Sequence, residues 1–320
     1  MASKKTLIIG GGVIGSQIAR ILVEQGERPV ILDRAPQLDS IADVIALDKI
    51  DIIPGDVLQP LTLSSAILAH GITAIAHTAA HPMLTAGAQK EPYAALQLNI
   101  MGTLNVLEAA RVHGVKRVVV SSSSVLNQNF AGGEAKGDLS REEALPRPTT
   151  YYAMTKQAVE SMGLNYAKHA GIEFAGMRYG PVAGPWRGSG GGEPTNIFRG
   201  AVTCAIKGEE VALPPAALEW VYSKDAAMAT VLALQAASLG SRIFNVTMGV
   251  IVTPEAFGEA LKAVFPAVRI RTAQTLVAGA FPAERKPADI SNAKQTLGYA
   301  PKYDMAGAVR DYVEWFKGQK

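Results

Sequence analysis

The chain has 320 residues, 48% of them hydrophobic and 18% charged, and its 31 basic and 28 acidic side chains leave a net charge of +3. That length buries a large core and suits two domains or one large α/β unit; the balance excludes a disordered chain, and the small net charge argues against nucleic acid as a partner. Cys204 is the only cysteine, which excludes an internal disulfide and a multi-cysteine metal site and fits a reducing, cytoplasmic compartment.

Lys4-Lys5 leads into the apolar run Leu7-Ile8-Ile9, too short for a secretory signal, which breaks into Gly10-Gly11-Gly12 as a strand entering a tight turn does. No stretch reaches the ~18 apolar residues of a membrane span, so no membrane partner is expected. A helical pattern over about 13–25 follows, then a strand at Val30-Ile31-Leu32 that ends in Asp33. Further short apolar runs at Ile52-Ile53, 74–76, 118–120 and 174–177 read as buried strands, with helical patterns at about 61–70, 92–113 and 150–169 between them. Strand and helix in strict turn predict right-handed crossovers and a doubly wound parallel sheet. After residue 180 the texture changes to Gly/Pro-rich loops, notably Gly188-Ser189-Gly190-Gly191-Gly192, a candidate lid. Helices are expected there at about 196–207, 223–237, 254–263 and 305–317, with strands near 243–247 and 268–271. The fold class is thus α/β, a doubly wound parallel Rossmann sheet over residues 1–180 with a smaller C-terminal α/β substrate-binding lobe over 181–320. Parts near 223–250 are expected to return to the first domain.

The glycines have a mechanical reading. Gly10 permits the turn, Gly12 lets the backbone approach a pyrophosphate, and Gly15 lets the helix that starts near Val13 and Ile14 pack close to the sheet. That helix offers free N–H groups and a positive dipole end to phosphate. Asp33, eighteen residues beyond Gly15, is placed to accept hydrogen bonds from the adenosine ribose and to repel a 2′-phosphate. NAD is therefore expected ahead of NADP, although Arg34 beside Asp33 would suit the extra phosphate. Downstream, Tyr152 and Lys156 stand at i and i+4, on one helix face. A phenol has a pKa of ~10 and becomes a useful base when a nearby cation favours the phenolate. Tyr151 is a rival, but Tyr152 alone has Lys at i+4. The run Ser121-Ser122-Ser123-Ser124 supplies hydroxyls to bind a substrate oxygen. His77 and His81, without carboxylates near them in sequence, make a poor metal case, and no metal is expected.

These features in this order resemble the extended short-chain dehydrogenase/reductases, the NAD-dependent epimerase/dehydratase family. Further marks are Gly55-Asp56-Val57, Ala76-His77-Thr78-Ala79-Ala80, Asn99 within Leu98–Asn105, Arg178–Pro185 and Leu297–Pro301. The resemblance implies that Asp56 and Val57 hold adenine, that Ala79 and Ala80 line the cofactor cleft, and that Tyr179 and Val182 lie in the segment whose backbone meets the nicotinamide amide. Lys156 would also bond the nicotinamide ribose. Counting back three from Val125 makes Ser122 the catalytic hydroxyl, and Asn99 would hold a water linked to the lysine. His81, Ser123, Ser124, Trp186 and Asn196 are expected at the substrate, in a pocket shaped by 81–87, 126–130 and 186–196. The family also implies a homodimer built from helices around 95–112 and 152–168.

Departures from the family pattern narrow the function. Ile9 stands in place of the first glycine, and Pro181 and Ala183 replace Asn and Tyr. Ser123 and Ser124 stand where sugar-nucleotide dehydratases carry an Asp-Glu pair, so dehydration is not expected. Leu218 takes the place of the Arg that binds a substrate diphosphate, with Glu219 beside it, and Arg187 or Arg199 are candidates to substitute from nearby. Asn196 points the other way, toward a nucleotide. The expectation is an NAD(P)-dependent oxidoreductase interconverting a secondary alcohol and a ketone on a substrate without a nucleoside diphosphate. The alternative is an NAD-dependent nucleotide-sugar epimerase with the same catalytic residues, and a more distant one is a non-catalytic NAD-responsive binding protein.

Overall fold

The computed structural model describes residues 5–81, 84–127, 140–239, 242–273 and 286–319. In chain order it has β1 (Thr6–Ile9), α1 (Gly15–Glu24), β2 (Val30–Asp33), α2 (Leu38–Ala42), β3 (Asp51–Pro54), α3 (Pro60–His70) and β4 (Ala74–His77). Then come α4 (Leu84–Lys90), α5 (Pro92–Leu96), a π-helical turn (Gln97–Met101), α6 (Gly102–Val112), β5 (Arg117–Ser123), α7 (Tyr151–His169) and β6 (Glu173–Tyr179). The rest comprises β7 (Val182–Ala183), α8 (Gly192–Lys207), β8 (Val211–Leu213), β9 (Val221–Tyr222), α9 (Ser223–Gln235), β10 (Ile243–Val246), α10 (Pro254–Lys262), β11 (Ile270–Thr272), α11 (Ser291–Leu297) and α12 (Met305–Gly318).

Seven strands form one parallel sheet in the order β10-β6-β5-β4-β1-β2-β3. Because successive side chains on a strand point to opposite faces, Ile8, Ile31 and Val119 join the core under α1 and α9, while Leu7, Val30, Val118 and Val120 join the core under α3, α6 and α7. The chain runs outward from β1 through β2 to β3 and then returns to lay β4 on the other side of β1. The strand order reverses between β1 and β4, so the crevice at their C-terminal ends is where a ligand belongs.

The smaller lobe packs α8, α10 and α12 around two-stranded pairs β8–β11 and β7–β9. Phe198 centres its core, stacked on Phe257 at 5.9 Å and edge-on to Tyr312 at 5.6 Å. The chain then goes back: β10 pairs with β6, and α9 packs against α1 and the faces of β4 and β5.

Two differences from the sequence reading have physical reasons. The pattern over 92–113 is not one regular helix: α5 and α6 flank the π turn, which holds the buried Asn99. The five- to seven-residue helices α2, α4 and α11 were not expected, because so few residues carry no readable period. Among the described residues no helix is long and apolar enough to cross a membrane, and no group of His, Cys, Asp and Glu is placed to hold a metal ion.

Candidate active site

A cleft of about 540 Å³ runs along the C-terminal ends of the central strands. At its inner end, Gly10 has φ +99°, and a methyl group there would meet the backbone of Ala79. A methyl on Gly15 would collide with the carbonyl oxygen of Gly10, so α1 can begin this close to β1 only with glycine. On Gly12 it would meet nothing, which leaves the backbone of the turn bare toward the cleft. Val13 and Ile14 continue the same wall.

Asp33 sits at the end of β2 with one oxygen accepting from Gly11 N at 2.7 Å and the other from Ala35 N at 2.9 Å. The carboxylate therefore braces the glycine turn while lining the cleft, with exposed Arg34 beside it. Asp56 accepts from Leu58 N at 2.9 Å, Val57 is buried against Gly102, and Ala79 donates to Ile9 O at 2.9 Å. Asp56, Val57, Ala79, Ala80, Tyr179 and Val182 all line the cleft. The Tyr179 hydroxyl, however, is taken by Thr230, so it offers the cleft its ring and backbone only.

At the other end Tyr152 and Lys156 project from the first turns of α7, which Thr150 caps by accepting from Ala153 N at 3.2 Å. Both side chains are buried and line the cleft. Tyr151, in contrast, is exposed. The Lys156 ammonium donates to Ser121 O at 2.7 Å and lies 5.6 Å from the centre of the Tyr152 ring. Burial pushes the phenol up to about 12 against a hydrogen bond from Ser123 that pulls it down. Burial pushes Lys156 down to about 8, opposed by the negative charge of Glu160. The phenol thus lies above its ordinary pKa rather than below it, because desolvation outweighs the Ser123 hydrogen bond. His77 is buried beneath the pair and held neutral, pushed down to about 3 by desolvation and by Lys156.

The serine assignment needs correcting. Ser122 points to the α7 side of the sheet and donates to Glu160 Oε1 at 2.6 Å, so its hydroxyl is not available to a substrate oxygen. The hydroxyl on the phenol is that of Ser123, one position on and on the opposite face. Counting residues from Val125 identified the segment but not the phase of the strand at its end. Ser124 is buried and also lines the cleft.

Asn99 does not stand free to hold water. Its Oδ1 accepts from His81 N at 2.9 Å, and its Nδ2 donates to Thr155 Oγ1 at 3.0 Å, which in turn donates to Tyr152 O at 2.7 Å. It ties the loop after β4 to the turn of α7 that carries the phenol. His81 lines the cleft, but two expected substrate contacts do not: Trp186 is buried with its indole N–H on Ser189 O at 3.0 Å, and Asn196 is exposed and accepts from Arg199 Nη2 at 2.8 Å. Of the expected pocket loops, residues 82–83 and 128–130 lie outside the described residues.

Residues 186–192 form a strap from the smaller lobe to α2. Ser189 N donates to Gln37 Oε1 at 2.7 Å, and both Arg187 donors reach Asp43, each at 2.5 Å. Gly190, Gly191 and Gly192 all have positive φ, which explains the glycine run. Gln37 and Ser189 line the cleft near Asp33, and neither was singled out in sequence because the contact joins positions 152 residues apart. Leu218 lines the cleft as well, while Glu219 is fully buried and accepts from Thr247 Oγ1 and Ala288 N, each at 2.8 Å.

A family model described as the NAD dependent epimerase/dehydratase family matches residues 6–247. The chain is 26% identical to a UDP-glucose 4-epimerase of Corynebacterium glutamicum over 96% of this chain and 94% of that one. It is 30% identical to a UDP-glucose 4-epimerase of Halalkalibacterium halodurans, over 56% of this chain and 51% of that protein. Among solved structures, the Thermus thermophilus UDP-glucose 4-epimerase in complex with NAD superposes with a TM-score of 0.81 at 26% identity, covering 99% and 100% of the two chains. A partial consensus L-threonine 3-dehydrogenase superposes with a TM-score of 0.82 at 27% identity, covering 98% and 99%.

Proposed function

The chain belongs to the NAD dependent epimerase/dehydratase family, and from that premise we propose that it is an enzyme that moves hydride between NAD and a secondary alcohol carbon, with Tyr152 transferring the hydroxyl proton. The observation that carries this reading is the placing of Tyr152, Lys156 and Ser123 in the same cleft as the glycine turn and Asp33. The bare backbone at Gly12 and the closeness that Gly10 and Gly15 enforce fit a pyrophosphate, and the carboxylate of Asp33 fits an unphosphorylated ribose. Gly10–Gly15, Asp33, Asp56, Val57, Ala79, Ala80, Lys156 and Val182 would hold NAD, which when bound accepts or returns the hydride.

What the chain's own residues do follows from their charges. Ser123 and Tyr152 bind the substrate oxygen, and the protonated phenol gives its proton to a carbonyl. In the opposite direction the phenol must first lose its proton, which Ser123 favours and burial opposes. Alcohol oxidation therefore rises with pH and carbonyl reduction falls. Tyr152→Phe is expected to abolish turnover while NADH still binds by fluorescence; near-normal turnover in that variant would sink the assignment.

For the substrate, the relatives favour a nucleotide sugar and 4-epimerisation, a reaction with no net change in NAD. The cleft wall carries a second reading, a smaller alcohol with no diphosphate and net redox chemistry. Leu218 supplies no charge-assisted bond, Arg187 is paired with Asp43, and Arg199 donates to the carbonyls of Arg187 and Gly188. Incubation with UDP-sugars, followed by NMR of the sugar and absorbance of NADH, separates the two. An epimerised sugar without net NADH establishes the first; NADH accumulating only with non-nucleotide alcohols establishes the second.

A further inference from the structure

One turn beyond Lys156 on α7, and outside the Tyr–Lys–Ser set, stands a buried carboxylate with three hydrogen bonds. Glu160 Oε1 accepts from Ser122 Oγ at 2.6 Å and from Arg178 Nε at 2.8 Å, and Oε2 accepts from Arg178 Nη2 at 2.8 Å. Glu160 is 6% exposed and Arg178 2%. A buried ion pair of this kind adds little net stability compared with apolar packing, so its position is what needs explaining.

Its two partners come from the neighbouring strands that pack against α7, Ser122 from β5 and Arg178 from β6. Ser122 is flanked by Ser121, whose carbonyl receives the Lys156 ammonium, and by Ser123, whose hydroxyl meets the Tyr152 phenol. Fixing Ser122 from behind the sheet sets where both neighbours point. The carboxylate also faces Lys156 along one helix face, at i+4. We propose that Glu160 is a positioning residue of this site: through Ser122 it fixes the end of β5 against Tyr152 and Lys156, and its charge holds Lys156 as an ammonium ion.

The other groups around Lys156 do not supply that charge. Tyr152 on α7 is a neutral phenol, His77 on β4 is neutral, and β5 offers only the Ser121 carbonyl and hydroxyl. Burial works to strip the lysine of its proton, and Glu160 is the group that opposes it. Arg178, from β6, lies on the far side of the carboxylate. Its Nη1 has no hydrogen-bond partner among the described residues.

The inference rests on the Tyr152–Lys156 reading above, and its first test needs neither cofactor nor substrate. Lys156 is titrated by competitive labelling with acetic anhydride across pH, its peptide being quantified by mass spectrometry. In Glu160→Gln the midpoint is expected to fall by about one pH unit, raising the reactive amine fraction below it roughly tenfold. Glu160→Gln/Arg178→Met, which leaves no unpaired buried guanidinium, shifts it the same way and serves if the single variant does not fold. An unchanged midpoint in either folded variant overturns the electrostatic role. The second test is the pH–rate profile on the substrate found above: its alkaline limb is expected to move down with the Lys156 midpoint. A moved midpoint with an unmoved limb overturns the catalytic relevance of Glu160. Loss of the functional reading itself is registered separately, by Tyr152→Phe.

Discussion

At Ser121–Ser124 the sequence offers four identical side chains with four different jobs. Ser121 lends a carbonyl to Lys156, Ser122 is tied to Glu160, Ser123 meets the phenol, and Ser124 lines the cleft. We expect Ser123→Ala to lower kcat about 100-fold, as loss of one preorganised donor does. Because Ser123 pulls the Tyr152 pKa down, its removal lets burial push the phenol higher, so the rise of alcohol oxidation with pH moves to higher pH. Ser122→Ala should cost less and leave that limb in place; the reverse ranking in a paired pH–rate series would return the role to Ser122. Residues such as Tyr152 and Lys156 were legible because helix spacing fixes their relative direction. The phase of a strand within a run of identical residues has no such signature, and neither does the pairing of Glu160 with Arg178 from another strand.

The elements around the cleft were legible in proportion to their length. The sheet strands and long helices declare themselves by period, and the glycine turn by the backbone freedom it needs. The π turn at Gln97–Met101 does not, since one extra residue in a helix leaves the apolar pattern nearly intact. The strap at 186–192 was read as a candidate lid from its glycines, but what it touches depends on how the lobes meet. Its Ser189–Gln37 contact joins two residues that line the cleft, and the Arg187–Asp43 pair holds the same strap to the end of α2, so a bound cofactor is expected to leave only after they part. Arg187→Ala and Gln37→Ala are expected to speed NADH release severalfold in stopped-flow fluorescence with little change in its association rate. Release at the wild-type rate in both variants would show that the strap does not gate the cofactor.

For the whole molecule, the α/β architecture could be anticipated from the alternation of strands and helices. The substrate could not, because Leu218 and Glu219 say only what the cleft wall lacks, and the strap's contacts depend on how the lobes meet. On α5–α7 and the π turn between them, Tyr93, Met101, Val112 and Leu164 are exposed apolar side chains on the helices through which the resemblance implies pairing. We propose a homodimer through this face, and light scattering should give twice the 33.7 kDa chain mass. A single-chain mass at micromolar concentration would refute it.

The path of the chain through α9 and β10 has an architectural consequence. The segment that leaves the smaller lobe closes one flank of the sheet, pairing β10 with β6 and covering α1 with α9. The lobe is therefore stitched into its host twice, rather than appended after residue 180. It cannot be traded as a cassette, since excising it would also strip a strand and a helix from the nucleotide-binding half. New specificities on this scaffold must arise by substitution in place, at the cleft wall and the strap.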